Sequence, residues 1–354
     1  MTEQVFIVGT GRCGSTLLSS VLRLHPEVTS LSEFLSFATD LGCQIEATFP
    51  AGDVDGPWLW ERIASPLPRQ NLMIRHDVAM DEVLYPWRDR THRFHRDTGV
   101  PAIAQVTLPH LTDDPDGWLD ALEPVVRAFE RAPVGVQLRR LFDGLAARDG
   151  GAIWVERSGG SLLVVHRLIE HFPRARFVHV VRDGRDTALS MSRHRGFKMV
   201  LVCFQMLELL GCDPFQSDDR RWEGDLPDDL AALLPERFTP QAFLDFEVAA
   251  PLCGHYWSGE IVEGLAVLDR LPPDRLLTIR FEDLLDDPRR ALRRLLGYLL
   301  RTDREDAGFL ARAAQLVHRP ASRWQDLEAR DRGQLEAACR AGFEALAARG
   351  VSWR

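Results

Sequence analysis

The sequence has few cysteines and no long apolar run. The six cysteines of the 354-residue chain form no CxxC pair and no regular spacing, which suits free thiols in a reducing compartment and argues against a disulfide framework or a structural zinc site. The chain has no stretch of about 18 uncharged apolar residues that could cross a membrane. Its first residues enter an apolar run directly, without the basic and apolar regions of a secretory signal. We therefore expect a cytoplasmic protein with no membrane insertion.

Basic clusters are also lacking. The chain carries 43 Lys and Arg against 52 Asp and Glu, and its formal net charge is −9. Because nucleic acids and anionic membranes are bound by dense positive charge, neither is expected to be the main partner. Any anion-binding site must be local. With 45% hydrophobic residues, the chain can bury a sizeable core.

The apolar pattern predicts an α/β fold in which strands and helices alternate. We predict strands at residues 5–8, 28–31, 152–156, 177–181 and 276–281, and helices at 15–24, 161–171, 256–271, from about 186 and from 288. Between them we predict a helical insertion at about 36–150 and a lid-like insertion at about 197–255, in which residues 212–245 are rich in Asp and Pro. No internal repeat or low-complexity linker divides the sequence, so residues 1–354 are interpreted as a single domain.

A glycine-rich loop follows the first predicted strand. Residues 9–16, GTGRCGST, match the outline G-x-x-x-x-G-x-[ST], in which successive backbone N–H groups and the positive end of the next helix surround a phosphate. A Walker loop carries lysine where this chain has Ser15, so ATP hydrolysis is disfavoured. Arg12 projects from within the loop instead, and its guanidinium could bind the charged bridging region of a different anhydride.

With this loop the chain resembles the sulfotransferases that use 3′-phosphoadenosine 5′-phosphosulfate (PAPS), whose 5′-phosphosulfate loop has a basic residue followed by Ser-Gly-Thr-Thr. Here the loop reads Arg12-Cys13-Gly14-Ser15-Thr16, which keeps the basic residue, the glycine and a hydroxyl pair. The resemblance implies a P-loop-type three-layer α/β fold around a central parallel sheet. It also implies PAPS as cofactor, 3′-phosphoadenosine 5′-phosphate (PAP) as its product and no metal. The implied cofactor contacts come from Gly11, Arg12, Cys13, Gly14, Ser15 and Thr16.

A second motif lies at the end of the predicted strand 177–181. Arg182 follows this strand, and Ser190 comes eight residues later, in the next predicted helix. The 3′-phosphate motif of the resembled family has this spacing, and chemically an arginine fork and a hydroxyl can share one phosphate. A Walker B strand would place a magnesium-binding aspartate directly after its apolar run, whereas arginine comes first here. Asp183 and Asp186 are interpreted as acids at a helix N-terminus.

Glu33 is the predicted general base. It comes just beyond the second predicted strand, at the sheet edge where open α/β folds bind ligands. The resemblance is closest to the tyrosylprotein and bacterial small-molecule branches of the family, which carry a catalytic glutamate after this strand. The cytosolic phenol and steroid enzymes use a histidine instead, so His76 and His110 are rival candidates. Arg157 corresponds to a lysine of the two glutamate branches that lies near the bridging oxygen of the leaving phosphate.

The C-terminal part carries one more resemblance. RPASRWQ at residues 319–325 is similar to the Ser-basic-Trp segment of the family. This similarity implies that Ser322 and Arg323 contact the cofactor while Trp324 packs beside it.

Two other kinds of site are disfavoured. A phosphatase loop would pair Cys13 with an arginine six residues later, but position 19 is serine, so Cys13 is interpreted as a small loop residue. The histidines form no HExxH motif, and the close pair His92 and His95 is flanked by arginines. We therefore predict no metal site.

Together these residues predict a sulfotransferase that moves a sulfuryl group from PAPS to a hydroxyl of a small-molecule acceptor. Glu33 would take the hydroxyl proton, and Arg12 and Arg157 would stabilise charge on the departing phosphate oxygen. Two alternatives stay open, an atypical P-loop kinase or NTPase and a non-catalytic nucleotide-binding protein of the same fold. The acceptor class is also open, since an alcohol, phenol, sugar, lipid or peptide tyrosine could serve.

Overall fold

A computed structural model of the chain describes residues 3–304, 306–319 and 323–353. The strands are β1 Glu3–Val8, β2 Val28–Ser32, β3 Asp53–Val54, β4 Ala132–Pro133, β5 Ile153–Arg157, β6 Arg176–Val181 and β7 Leu276–Arg280. Five of them form one parallel sheet in the order β2-β5-β1-β6-β7, and β3 pairs with β4 as a separate antiparallel ribbon. The predicted α/β fold with a central parallel sheet is confirmed.

Helices connect these strands. They are α1 Ser15–Leu22, α2 Phe34–Ala38, α3 Ile45–Thr48, α4 Gly56–Ala64, α5 Pro68–Arg75, α6 Ala102–Gln105, α7 Thr107–Leu111, α8 Pro115–Arg127, α9 Val134–Asp149, α10 Val165–His171, α11 Gly184–Ser192, α12 Arg195–Leu210, α13 Asp228–Ala231, α14 Pro240–Asp245, α15 Ala250–Leu268, α16 Phe281–Asp286, α17 Pro288–Leu300, α18 Ala307–Gln315 and α19 Ala329–Ala347. Short 3₁₀ turns occur at Ser161–Val164, Glu223–Asp225, Pro273–Arg275 and Trp324–Asp326. Within the three described ranges, no helix has the length and apolar character needed to cross a membrane.

Some predicted helix boundaries are wrong. Helix α1 ends two residues earlier than predicted, because the chain already turns ahead of Pro26. The predicted helix 161–171 is divided into a 3₁₀ turn and α10. Helix α15 begins six residues before its predicted start, with Pro251 in its first turn, where the missing N–H costs nothing. These shifts leave the order of strands and helices unchanged.

Both faces of the sheet are covered, which makes the fold three-layered. Along β1, Phe6 and Val8 belong to the hydrophobic cluster on one face, with Trp154 from β5. Val5 and Ile7 belong to the cluster on the other face, under α1 and α17. Each of these side chains is buried. This two-sided burial explains why β1 is apolar throughout instead of alternating with polar residues.

The two predicted insertions differ in character. The region 36–150 is mostly helical as predicted, and it is interrupted by the non-helical stretch 76–101 and by the two-residue strands β3 and β4. In 212–245, where the sequence predicts irregular structure, the short helices α13 and α14 form, and several apolar side chains are buried in a cluster with α12. These are Leu226, Leu230, Leu233, Leu234, Phe238 and Phe243. The opening motion implied for a lid at 197–255 stays a prediction.

The carboxyl ends of four adjacent strands meet at one edge of the sheet. These strands end at Val8, Ser32, Arg157 and Val181, and Arg157 is the register partner of both Ser32 and Ile7. The loops that leave these ends therefore converge. In open α/β sheets this edge is where ligands bind.

Candidate active site

The loop between β1 and α1 has an unusual backbone. Gly11, Arg12 and Gly14 have φ angles of 76°, 52° and 90°, in the left-handed region that glycine adopts readily and arginine does not. Gly14 is the N-cap of α1, and a Cβ atom there would lie 2.1 Å from the ring of Phe281. Position 14 therefore requires glycine. No side chain caps α1, so its first N–H groups are available to an anion.

This loop borders a cleft with a cavity volume of about 90 Å³. The polar side of the cleft is lined by residues from the sheet edge, and the opposite walls are apolar. The edge residues are Gly11, Arg12, Ser15, Thr16, Glu33, Ser158, Gly159, Gly160 and Ser161, and the apolar ones are Leu35, Phe37, Leu41, Met80, Leu163, Val164, Phe197, Val200 and Tyr256. The fold thus places the anion-binding loop beside an apolar pocket, with the Glu33 carboxylate between them.

Glu33 is held by contacts to β5 and to the loop that follows it. Its Oε1 accepts a hydrogen bond from Nη1 of Arg157, and its Oε2 accepts from Ser36 Oγ at 2.6 Å and from the Gly159 N–H at 2.8 Å. Its own N–H donates to the Arg157 carbonyl at 2.6 Å, with φ at 57°. A carboxylate has about four lone-pair sites, so these three donors leave roughly one site for a further hydrogen bond.

Arg157 lies behind Glu33 and does not line the cleft. Only 1% of its surface is exposed. Its Nε donates to Ser19 Oγ at 2.8 Å and its Nη2 donates to Ser32 Oγ at 2.6 Å, while Nη1 pairs with Glu33. Every nitrogen of the guanidinium is engaged in one of these contacts. Arg157 therefore contacts the lining of the cleft through its ion pair with Glu33.

A second carboxyl group, that of Glu156, is fully buried next to this pair. Its Oε1 accepts from Ser158 Oγ at 2.5 Å and from the Leu35 N–H at 3.3 Å, whereas Oε2 has no hydrogen-bond partner among the described residues. Burial is the main cause that raises the pKa of Glu156 to about 8. At neutral pH this carboxyl is mostly protonated, so it adds little negative charge beside Glu33.

Arg12 forms an ion pair with a residue of the helical insertion. Its Nη1 donates to Glu82 Oε1 at 2.6 Å, and His194 Nε2 lies 3.0 Å from Glu82 Oε2. All three residues line the cleft. Burial alone would raise the pKa of Glu82, but the hydrogen bond and charge of His194, followed by the charge of Arg12, lower it to about 2. Glu82 is therefore ionised and engages a donor of Arg12 that an anionic ligand would use.

The predicted 3′-phosphate residues, Arg182 and Ser190, both contact Arg12. Ser190 Oγ accepts from Arg12 Nε at 3.2 Å, and Arg182 Nη1 donates to the Arg12 carbonyl at 3.0 Å. The Arg182 guanidinium also lies over the ring of Phe281, 5.2 Å from its centroid. The two predicted phosphate sites are thus joined through Arg12, although neither Arg182 nor Ser190 lines the cleft itself.

The aspartates after Arg182 have local structural contacts. Asp183 is the N-cap of α11 and accepts from the Arg185 N–H at 2.9 Å. Asp186, in the first turn of α11, accepts from the Trp324 N–H at 2.8 Å. Both therefore lie at a helix N-terminus, which confirms the prediction.

The C-terminal segment packs against the start of α11. Arg185 lies over the Trp324 ring, with its Cζ 3.8 Å from the centroid. Arg323 is exposed, and Ser322 lies outside the described residues. The implied cofactor contacts of Ser322 and Arg323 stay predictions.

The two rival histidines lie outside the cleft. His76, at the end of α5, packs its ring 5.0 Å from that of Phe238. His110 is buried, and burial, followed by the charges of Arg157 and Arg23, lowers its pKa to about 4. Neither imidazole is placed to take a proton from a molecule in the cleft. Burial also raises the pKa of the Cys13 thiol, which agrees with a packing role for its side chain.

Sequence reasoning missed Glu82 and His194. Glu82 lies in the unaligned insertion, 70 residues from Arg12, and no motif surrounds it. His194 comes four residues after Ser190, just before α12 begins. Its position between α11, which carries Ser190, and α12 is the one feature of the sequence that could have indicated a residue near the phosphate motif.

Comparison with known proteins identifies one family. The sequence model of the Sulfotransferase family matches residues 4–247, more than half of the chain. Sulfotransferase STF9 from Mycobacterium avium is 16% identical, with a TM-score of 0.47, covering 98% of this chain and 76% of that one. The sulfotransferase from Alicyclobacillus acidocaldarius is 16% identical, with a TM-score of 0.44 and coverage of 99% and 96%. The sulfotransferase domain from the curacin biosynthetic pathway is 16% identical, with a TM-score of 0.44 and coverage of 88% and 78%. Comparison with curated proteins gave no match.

Proposed function

Because the chain belongs to the Sulfotransferase family, whose enzymes use PAPS, we propose that it transfers the sulfuryl group of PAPS to a hydroxyl of a small-molecule acceptor, with Glu33 as general base. One observation carries the proposal. The glycine-rich loop and Glu33 line the same cleft, whose remaining walls are apolar. An anion-binding loop, a carboxylate and an apolar pocket are what transfer from a phosphosulfate to an organic hydroxyl requires.

The loop fits the phosphosulfate end of PAPS. Gly14 has no side chain to collide with Phe281, so the loop can turn tightly here. The turn leaves the first N–H groups of α1, which no side chain caps, open to an anion. The hydroxyls of Ser15 and Thr16 line the cleft beside it. Arg12 supplies the positive charge that a Walker loop takes from lysine. Cys13 can offer only its backbone N–H, because its side chain is buried.

We assign the 3′-phosphate to Arg182 and Ser190. Arg182 combines a hydrogen bond to the loop carbonyl of Arg12 with a contact over Phe281. Its guanidinium is thereby oriented next to the loop, and an oriented fork suits a phosphate. Ser322 and Arg323 are further candidates for this end of the cofactor.

Glu33 is assigned the proton transfer. The lone-pair site left on its carboxylate, on Oε1 by the count of donors, can accept the acceptor hydroxyl. As the O–H bond breaks, the proton moves to Glu33. The acceptor oxygen bonds to sulfur, and the bond from sulfur to the phosphate oxygen breaks to release PAP.

The two arginines have different roles in this scheme. Arg12 lines the cleft and can stabilise negative charge on the departing phosphate oxygen. Arg157 is enclosed by Ser19, Ser32 and Glu33, so we assign it the positioning of Glu33. The alternative of a P-loop kinase or NTPase is disfavoured, because Ser15 occupies the position of the phosphate-binding lysine.

Thermal unfolding with nucleotides tests the proposal. PAP should raise the melting temperature far more than ADP or AMP, because only PAP carries the 3′-phosphate. A ligand at about a thousand times its Kd adds roughly 4 kcal/mol to the free energy of unfolding, which is a large shift. Sulfation is then followed by mass spectrometry of an alcohol mixture incubated with PAPS.

The Arg182→Met variant should lose the preference for PAP over ADP. Arg88→Met is the matched control, because Arg88 is exposed and lies outside the cleft. Equal stabilisation by PAP and ADP, or magnesium-dependent ATP hydrolysis, would favour the kinase alternative. Stabilisation by PAP without any sulfated product would favour a non-catalytic nucleotide-binding protein.

A further inference from the structure

A second cavity adjoins the apolar side of the cleft. It has a volume of about 620 Å³ and shares the wall residues Gly42 and Leu163 with the cleft. The 3₁₀ turn Ser161–Val164 lies between the two spaces, because Val164 lines the cleft and Leu162 lines the cavity. The apolar side of the cleft therefore borders a larger space.

Helices α12 and α15 continue as walls from one space into the other. Along α12, Phe197 and Val200 line the cleft, and Phe204 and Leu207 line the cavity. These positions recur every three or four residues, so they form one stripe on the helix. From Phe197 to Leu207 the stripe runs about 15 Å, at about 1.5 Å per residue. Helix α12 thus presents one apolar stripe to both the cleft and the cavity.

Helix α15 brings two carboxyl groups to the wall of the cavity, those of Glu260 and Glu263. On α15, Tyr256 lines the cleft, and Glu260, one turn further along, lines the cavity. Glu260 is 93% buried, because only 7% of its surface is exposed, and its Oε2 has no hydrogen-bond partner among the described residues. Burial and the charge of Glu263 raise the pKa of Glu260 to about 8. The cavity thus holds a buried carboxyl group that has no cationic partner among the described residues and is mostly protonated at neutral pH, so a cation placed beside it would favour its ionised form.

The other charged residues of the cavity do not supply that counter-charge. Arg69 is buried and forms ion pairs with Asp40, at 2.8 Å, and with Asp213. Glu46 is paired with Arg167, at 2.7 Å. These pairs are complete without Glu260. A cationic group brought by a ligand would give Glu260 the partner that the described part of the chain does not.

We propose that the cleft and the cavity form a single acceptor groove, and that the acceptor is an extended molecule with an apolar body and an ammonium group that pairs with Glu260. This inference rests on the proposed function. The hydroxyl to be sulfated lies beside Glu33, the apolar body lies along Phe197, Val200 and Phe204, and the ammonium group lies beside Glu260 in the cavity.

Two ligand pairs test this proposal. Calorimetry on the PAP-saturated protein compares dodecylamine with dodecanol, which reads binding without catalysis. Turnover with PAPS compares aminododecanol, which carries its amine and hydroxyl at opposite ends, with dodecanol. We expect the amine to be favoured at least tenfold in Kd and in kcat/KM. Glu260→Gln should abolish this preference, and Glu260→Leu should reverse it in favour of dodecanol.

Glu208→Gln is the matched control, because Glu208 is an exposed carboxylate of α12 that lines neither the cleft nor the cavity. It should keep the preference, and all three variants should keep the melting shift caused by PAP. Equal binding of amine and alcohol by the wild type, or a preference that survives both Glu260 substitutions, overturns the inference. If PAP fails to stabilise the wild type, the proposed function is refuted. The dodecylamine titration without PAP then still decides whether the groove selects an amine.

Discussion

The Glu33→Gln substitution is the most direct test of the chemistry. Glutamine keeps the shape of the side chain but cannot take a proton from the acceptor hydroxyl. If Glu33 is the base, the rate of sulfation should fall by about two to four orders of magnitude. The melting shift caused by PAP should persist, because Glu33 contacts neither Arg12 nor Arg182 in the structure.

The structure also gives a cost in stability. Glu33 is the ionic partner of the buried Arg157, and removing one partner of a buried pair costs about 3–5 kcal/mol. The NH₂ group of the glutamine would also face either Arg157 or the Gly159 N–H. Both are hydrogen-bond donors, so one of the present hydrogen bonds would be lost. Activity must therefore be measured well below the melting temperature of the variant, with a circular dichroism spectrum to establish that it is folded.

Ser36→Ala is the matched control. It removes one hydrogen bond to Glu33 Oε2 and keeps the carboxylate, so it should cost about 1 kcal/mol of stability and leave turnover within roughly tenfold of the wild type. Sulfation is measured by mass spectrometry in single-turnover reactions with PAPS. Wild-type rates in folded Glu33→Gln would refute the assignment of Glu33 as base. An equal loss of rate in both variants would show that the geometry of this wall matters and not the carboxylate.

Two further predictions concern stability. Gly14→Ala should lower the free energy of unfolding by at least about 2 kcal/mol and weaken PAP binding, because position 14 has a φ of 90° and a new Cβ would meet Phe281. Gly144→Ala, in the open on helix α9, should instead stabilise the protein by up to about 1 kcal/mol in the same denaturant titrations, and equal effects of the two would contradict this reasoning. The free energy of unfolding of Glu156→Gln minus that of the wild type should increase as the pH rises from about 4.5 to about 8. Since the folded-state pKa of Glu156 is raised to about 8, wild-type stability falls over this window by an amount of the order of 3–5 kcal/mol, and a difference between the two proteins that is independent of pH would refute the assignment.

The order of strands and helices could be predicted because it depends on patterns of neighbouring residues in the sequence. Runs such as 5–8 and 177–181 are apolar throughout, as strands buried on both faces must be. The glycine and serine positions of residues 9–16 indicate a phosphate loop by themselves, since the backbone of such a loop depends on which residues tolerate positive φ. Helix ends were less predictable. The start of α15 and the division of 161–171 depend on packing that lies outside each segment.

The sequence alone determined the chemical types present at the edge of the sheet, namely a loop without a Walker lysine, an arginine after β6 and a glutamate after β2. Tertiary structure decided how they act on one another. It pairs Glu33 with Arg157, 124 residues away, so that the arginine predicted near the leaving group lies behind the predicted base. It also brings Glu82 to Arg12 and buries Glu260 with one carboxyl oxygen unpaired among the described residues. These hydrogen bonds, the burial of the side chains and the resulting pKa values depend on distances between segments that are far apart in the sequence. Those distances cannot be deduced from the spacing of residues along the chain.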